Sequence, residues 1–157
     1  MIKRLQGGFT LIEIMVTVAV LAIILGIGVP SFQGLIERNR ISTATNKLFS
    51  ALTTARSEAI RLGLNVSVTQ AAGGWGNGWT IAIDSSNTTL RVENTLPGNV
   101  SIGDANAPTK IVFSVNGRVT TPANGRAVFE VSLSNSSVTP RQIAVNEIGH
   151  VQSRLKP

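Results

Sequence analysis

The chain has 157 residues and a mass of 16.5 kDa, the size of one domain with a short appendage. Charged residues make up 14 % of it, against about 25 % in an average soluble domain, so we expect part of the chain to lie away from water. The absence of Cys excludes disulfides, zinc–thiolate sites, iron–sulfur clusters and a thiol nucleophile, and the presence of one His excludes most imidazole-based sites. The net charge of +6 permits contact with anions without requiring it.

The apolar residues are concentrated near the N-terminus. In residues 9–29, 16 of 21 residues are apolar, and Glu13 is the one ionisable side chain. As a helix this run would be about 31 Å long, enough to cross the hydrocarbon core of a membrane. Lys3 and Arg4 precede it, so the positive-inside rule places the N-terminus in the cytoplasm and residues after Pro30 outside. A cleaved secretory signal is the alternative, although its apolar region is normally about 7–15 residues long.

The sequence GGFTLIE at residues 7–13 closely resembles the processing site of type IV pilins and type II secretion pseudopilins. The resemblance implies that a prepilin peptidase cuts after Gly8 and that the new amine of Phe9 is methylated. Residues 1–8 would then be a leader peptide, and the mature chain would have 149 residues (157 − 8). Glu13 and Pro30 would become the fifth and twenty-second mature residues, as in that family.

Glu13 is a candidate assembly residue. A carboxylate at membrane depth costs roughly 2.5–3.5 kcal/mol on insertion scales and is normally paired or neutral. The apolar run contains no basic residue, so a partner must come from the chain's N-terminus or from another molecule. The resemblance implies that Glu13 pairs with the N-terminal amine of a neighbouring subunit. A protonated Glu13 near the membrane surface remains the alternative.

The helix is predicted to continue past the apolar run to residue 62. Gly26, Gly28 and Pro30 weaken it, because Gly is a poor helix former and Pro removes a backbone hydrogen bond, so we expect a kink or a locally frayed turn there. Residues 30–62 are predicted to form an amphipathic helix, since apolar residues recur at 32, 35, 36, 41, 44, 48, 52, 55 and 59. Gly63 is the expected C-terminal cap.

Residues 63–157 are predicted to be rich in β-structure. Alternating patterns and turn signals indicate strands at 65–70, 79–83, 89–93, 111–115, 127–133 and 141–145, with a short last strand near 150–154. Residues 73–78 are Gly-rich but lack the ending of a phosphate-binding loop, so we interpret them as a hairpin turn, with Trp75 and Trp79 anchoring the packing. The fold class is therefore α+β, with one long helix packed on one or two antiparallel sheets.

Three further segments resemble the GspH/FimT group of minor pilins and pseudopilins. They are ARSEAI at 55–60, Gly-Trp at 78–79, and the turn NGR at 116–118 after Phe113. With them the resemblance extends over most of the chain and implies a pilin-like fold. It implies as partners the prepilin peptidase, other major and minor pilins or pseudopilins, and the inner membrane.

Candidate catalytic residues are lacking in the sequence. The acids after the apolar run are scattered without paired spacing, and His150 has no evident partner. We therefore predict a protein that is not an enzyme and that takes no cofactor or metal.

Double-stranded DNA is a further candidate partner. Residues 38–157 carry 12 basic and 6 acidic side chains, and Arg141, Arg154 and Lys156 lie in the C-terminal part. Some FimT-like minor pilins bind DNA through a Gly-Arg-x-Arg motif, where this chain has GHVQ at residues 149–152. Only the Gly of that motif is present, so a solvated basic tail is the alternative interpretation.

These observations predict a minor pilin or pseudopilin, with a single-pass inner-membrane helix, a periplasmic C-terminal domain, and incorporation into a filament. The resemblance leaves open whether that filament is a type IV pilus or a type II secretion pseudopilus. A DNA-binding minor pilin serving DNA uptake is one alternative, and a membrane-anchored periplasmic domain that never assembles is another.

Overall fold

A computed structural model describes residues 8–103, 107–134 and 136–156, without the side chains of residues 27–31. Its first element is a 52-residue helix, α1 (Leu11–Leu62), which confirms the long N-terminal helix expected from the sequence. The chain divides into two compact units, residues 1–36 and 37–157, so that each unit contains part of α1. The helix ends at Leu62 and is followed by Gly63 with a φ of 63°, a left-handed conformation that ends many helices.

The second unit contains two antiparallel sheets. The five-stranded sheet has the order β3-β2-β1-β5-β6, built from β1 (Val66–Gln70), β2 (Trp79–Ile83), β3 (Thr89–Glu93), β5 (Lys110–Phe113) and β6 (Val119–Thr121). The four-stranded sheet has the order β4-β7-β8-β9, built from β4 (Val100–Ile102), β7 (Ala127–Leu133), β8 (Arg141–Val145) and β9 (Val151–Leu155).

Of these nine strands in the described residues, seven were predicted from the sequence, and β2, β3, β7 and β8 have the predicted bounds. Strands β4 and β6 were not predicted. Each has three residues, which is too short for a period of two to stand out from the flanking loops.

One stripe of α1 covers the core of the second unit. Its buried apolar side chains are Ile41, Ala44, Leu48, Ala51, Leu52, Ala55 and Ala59, at the spacing of one helix face. They pack against inward-facing residues of both sheets, including Phe113 of β5 and Phe129 of β7. The predicted apolar stripe is buried only from Ile41 onward. Its earlier members Phe32, Leu35 and Ile36 are at least half exposed.

The turn at residues 73–78 anchors this core as predicted. It contains a short 3-10 helix (Trp75–Asn77), and both Trp75 and Trp79 are 2 % exposed. The Trp75 Nε1–H donates a hydrogen bond of 2.9 Å to the carbonyl oxygen of Pro108. The Trp75 and Phe129 rings form a T-shaped pair with 5.0 Å between centroids, a geometry that aromatic pairs prefer. The 3-10 helix is thereby held to both the β5 side and the β7 side of the core.

Candidate assembly and binding sites

The N-terminus of α1 is capped by the processing motif itself. The Thr10 Oγ1 accepts a hydrogen bond of 3.3 Å from the backbone N–H of Glu13, and the Thr10 carbonyl accepts the first helical bonds. Thr and Glu at this spacing are typical of a capping box, and a carboxylate in the first turn interacts favourably with the helix dipole. The local sequence therefore fixes the start of the helix at Thr10, and this places Glu13 in the first turn.

Gly8 and Phe9, the predicted processing residues, precede the helix. Residues 8–10 have no regular secondary structure, and the Phe9 side chain is 82 % exposed. A Cβ added at Gly8 would have no atom within 4 Å. The peptide bond after Gly8 is therefore reachable, whereas a bond inside the helix would be held by its hydrogen bonds.

The first half of α1 exposes its apolar side chains on all sides. Every described large apolar side chain from Phe9 to Leu25 is at least 50 % exposed. A helix that is apolar all round is normally buried in a membrane or in a larger protein core. Glu13 is exposed as well, and none of the ion pairs among the described residues includes it.

No helix in the described part of the chain has both the length and the apolar character needed to cross a membrane. The predicted span 9–29 ends within residues 27–31, whose side chains lie outside the described residues. The backbone of α1 is helical through Gly26, Gly28 and Pro30, so the chain is not frayed there. The predicted kink stays a prediction.

The structure separates the three candidate DNA contacts. Arg154 of β9 lies opposite Gln142, on the outer face of the four-stranded sheet. Arg141 of β8 is the neighbour of Gln142 in the strand, so its side chain lies on the opposite face, the one that carries the core residues. Lys156 lies just after β9, and its Nζ forms an ion pair of 2.7 Å with Glu130. Of the three, Arg154 alone is both exposed and outside the ion pairs found among the described residues.

The positive charge of the second unit resides mainly in arginine side chains. Five carboxylates form ion pairs, in the combinations Lys47–Glu93, Arg61–Glu58, Lys110–Asp84, Arg126–Glu147 and Lys156–Glu130. The Glu58 carboxylate raises the pKa of Arg61 through its hydrogen bond to the guanidinium. All the lysines of the described second unit are thus paired, and the excess charge is carried by arginines spread over the surface.

Arg56 forms a junction that the sequence did not reveal. Its Nε–H donates a hydrogen bond of 3.2 Å to the carbonyl oxygen of Gly117, in the turn between β5 and β6. Gly149, in the turn between β8 and β9, lies against the same carbonyl and against Arg56. ARSEAI, NGR and the Gly of GHVQ were each noted in the sequence, but no local signal indicated that they meet.

A cleft beside β3 is lined by residues of both charges. It has a volume of about 320 Å³ and lies between α1 and the edge of the five-stranded sheet. Lys47 and Glu93 form an ion pair across it, and Arg91 and the buried Trp79 also line it. Within the described residues, no three His, Cys, Asp or Glu side chains are grouped so that they could hold a metal ion.

Two family models match the chain. The model described as "Type II transport protein GspH" matches residues 44–149, and the "Prokaryotic N-terminal methylation motif" matches residues 3–29. The chain belongs to the GspH family. It is a type IV pilin-like protein of the GspH/FimT type, as its sequence motifs indicated, and the methylation motif covers Gly8, Phe9 and Glu13.

The fold of this GspH-family chain matches that of a solved minor pilin. The crystal structure of the type IV minor pilin FimU of Pseudomonas aeruginosa covers 78 % of this chain and 92 % of its own length, with a TM-score of 0.66 and 23 % identity. A second crystal form of the same pilin gives a TM-score of 0.62 at 22 % identity. At these identities the likeness shows the pilin fold.

Curated relatives match shorter stretches. The fimbrial protein EcpC of Eikenella corrodens is 41 % identical over 46 residues, which are 29 % of this chain and 30 % of that protein. A fimbrial protein of Pseudomonas aeruginosa is 38 % identical over 63 residues, 40 % of each chain. The type IV major fimbrial protein FimA of Dichelobacter nodosus is 48 % identical over 40 residues, 26 % of each. The chain thus spans well under half the length of these relatives.

Proposed function

We propose that this protein is a minor subunit of a filament of the type IV pilin kind, made as a prepilin. The prepilin peptidase cuts after Gly8 and the amine of Phe9 is methylated. The apolar first half of α1 holds the chain in the inner membrane as a single pass, with the second unit in the periplasm. The helix then enters the filament, where the second unit contacts other pilins or pseudopilins. The role is structural, without catalysis or a cofactor.

The observation that carries this proposal is the exposed apolar start of α1, capped at Thr10 and bearing Glu13 in its first turn. Exposed apolar side chains on every side need a cover that the chain's own described residues do not provide. The Glu13 carboxylate would pair with the N-terminal amine of a neighbouring Phe9, because cleavage after Gly8 creates that amine. An assembled filament supplies both the apolar cover and the ionic partner.

The mass of the mature protein tests the processing step. We expect the chain isolated from membranes to lack residues 1–8 and to carry one added methyl group on Phe9. Replacing Gly8 by a bulky residue should leave the leader attached, whereas the same change at Gly7 is the matched control. An intact leader on the wild-type membrane protein would contradict the proposal at its first step.

The type of filament is tested by deletion. Loss of surface pili with normal secretion would assign the chain to a type IV pilus, and loss of secretion with normal pili would assign it to a secretion pseudopilus. Normal pili and normal secretion would favour the membrane-anchored domain that never assembles.

DNA binding during DNA uptake is a second candidate function. It is supported by the excess of arginines outside the ion pairs of the described residues, among which Arg154 is exposed. Arg141 lies on the other face of the sheet and Lys156 is paired with Glu130, so any DNA contact in this region would depend chiefly on Arg154.

A further inference from the structure

Three of the four edge strands in the described residues are covered or distorted. Strand β3 has a bulge opposite Ile81 and Ala82, and bulges turn an edge away from further pairing. On β4, the carbonyl of Val100 lies against Gly76 of the 3-10 helix. On β6, the N–H of Val119 donates to the carbonyl of Glu147 in the neighbouring turn. Each of these edges is therefore protected from pairing with another chain.

Strand β9 has none of these protections in the part of the chain that the structure describes. It pairs with β8 over five residues without a register shift, and it contains no Pro. Its side chains are exposed from Gln152 to Leu155. A regular exposed edge of this length is a template for a further strand.

The register identifies which backbone groups of β9 point away from β8. The N–H of Asn146 donates to the carbonyl of His150, and the N–H of Lys156 donates to the carbonyl of Pro140. Antiparallel pairs alternate along a ladder between hydrogen-bonded and non-hydrogen-bonded, so residues 150, 152, 154 and 156 face β8. The residues whose N–H and C=O groups point away from β8 are Val151, Ser153 and Leu155.

We propose that β9 pairs with β9 of a second copy of this chain, antiparallel and centred on Ser153. The two sheets would join into one, and Val151, Ser153 and Leu155 would form three hydrogen-bonded pairs with about six backbone hydrogen bonds. This inference goes beyond the proposed filament role and does not depend on it.

The side chains of β9 are complementary to themselves in this register. On the core-facing side, Val151 lies opposite Leu155 of the second copy, so Leu155, now 61 % exposed, gains an apolar neighbour. On the outer side, Gln152 lies opposite Arg154 of the second copy, where the amide oxygen can accept from the guanidinium. Like charges are diagonal and not directly opposite, which avoids the least favourable cross-strand contact.

Cysteine cross-linking of the full chain in detergent tests this pairing, because the natural sequence has no Cys. Two copies of Ser153→Cys would face each other with Cα atoms about 5.5 Å apart, within the range of a disulfide. We expect Ser153→Cys to form a disulfide-linked dimer under mild oxidation. Ser101→Cys is the matched control, since Ser101 lies on β4, the covered edge of the same sheet.

A second variant separates pairing from chance collision in the micelle. Leu155→Pro in the Ser153→Cys background removes an N–H that points away from β8, so the intramolecular ladder is retained. We expect the initial rate of cross-linking to fall by about tenfold or more, as for an interface that loses backbone hydrogen bonds. Unchanged tryptophan fluorescence checks that the fold persists.

In detergent, three results would overturn the inference. They are no disulfide dimer of Ser153→Cys, equal cross-linking of Ser101→Cys, and cross-linking that Leu155→Pro leaves unchanged. In cells, a Ser153→Cys cross-link to a different protein in place of a second copy would also overturn it. Processing and filament incorporation, measured on the same variants, report on the proposed function separately.

Discussion

Arg56 and Gly117 are 61 residues apart, yet the Arg56 Nε–H donates a hydrogen bond of 3.2 Å to the Gly117 carbonyl oxygen. The end of α1 is thereby tied to the turn between β5 and β6. Gly149, in the turn between β8 and β9, lies against the same carbonyl oxygen, and its φ is 75°. One arginine thus links the helix to a turn from each of the two sheets.

Gly149→Ala should be strongly destabilising, because the added Cβ would overlap the Gly117 carbonyl in a left-handed conformation. We expect the free energy of unfolding to fall by about 3 kcal/mol or more. Gly63→Ala is the matched control, since Gly63 is also left-handed but has no atom within 4 Å of the added Cβ. Its expected cost is about 1–2 kcal/mol. Urea unfolding followed by tryptophan fluorescence measures both, and equal losses would contradict the close approach.

Arg56→Ala should lower the free energy of unfolding by about 1–3 kcal/mol, because the partly buried Gly117 carbonyl loses a charged donor. Arg61→Ala is the control. Arg61 lies in the last turn of the same helix, but its partner Glu58 is three residues away on the surface, and such pairs contribute little to stability. The same unfolding measurement applies. An Arg56→Ala variant as stable as Arg61→Ala would show that the junction does not hold the turns.

Leu52→Ala should create a cavity where α1 meets the sheets, since Leu52 is 0 % exposed. Substitutions of this kind cost about 2–5 kcal/mol. Leu90→Ala on β3 removes the same atoms from a side chain that is 39 % exposed, and we expect a loss of about 1 kcal/mol or less. Thermal unfolding of the two variants gives the comparison. A similar loss for both would be inconsistent with the core described for this helix stripe.

Glu13→Gln should impair filament incorporation while leaving membrane insertion intact. The substitution keeps the Thr10 cap, whose acceptor is the Thr10 hydroxyl and whose donor is a backbone N–H. It removes the negative charge that would pair with a neighbouring N-terminal amine. The measurement is the fraction of the chain in sheared filaments against that in membranes. Thr17→Val, one turn further along, is the control. Normal incorporation of Glu13→Gln would argue against ionic pairing.

Arg154→Ala should reduce DNA binding more than Lys156→Ala, if the protein binds DNA. Lys156 is neutralised by Glu130 at 2.7 Å, whereas Arg154 stands outside the ion pairs of the described residues. The chain in detergent would be titrated with a short duplex at two salt concentrations, because phosphate contacts weaken steeply with salt. Binding that is insensitive to salt, or equal effects of the two substitutions, would count against the phosphate contact. An absence of binding at low salt would remove DNA uptake as a function.

Much of the molecule was predictable because its signals are local. The motif at residues 7–13, the apolar run and the helical period required only neighbouring residues, as did four strands whose bounds the structure reproduces. These features determined the family and the α+β fold before any contact was known. The Thr10–Glu13 cap also lies within four residues, but it was not predicted from the sequence.

The tertiary structure decided what depends on distant residues. Lys156 and Glu130 form their ion pair 26 residues apart, so a basic tail in the sequence is partly neutral on the surface. The short strands β4 and β6 form by pairing with the longer strands β7 and β5. Strand β9 is an edge because it comes last in the order of its sheet. The meeting of Arg56, Gly117 and Gly149 has the same origin. Short-range pattern fixes helices and strands, but only packing around the shared core determines which of their ends, charges and edges come together.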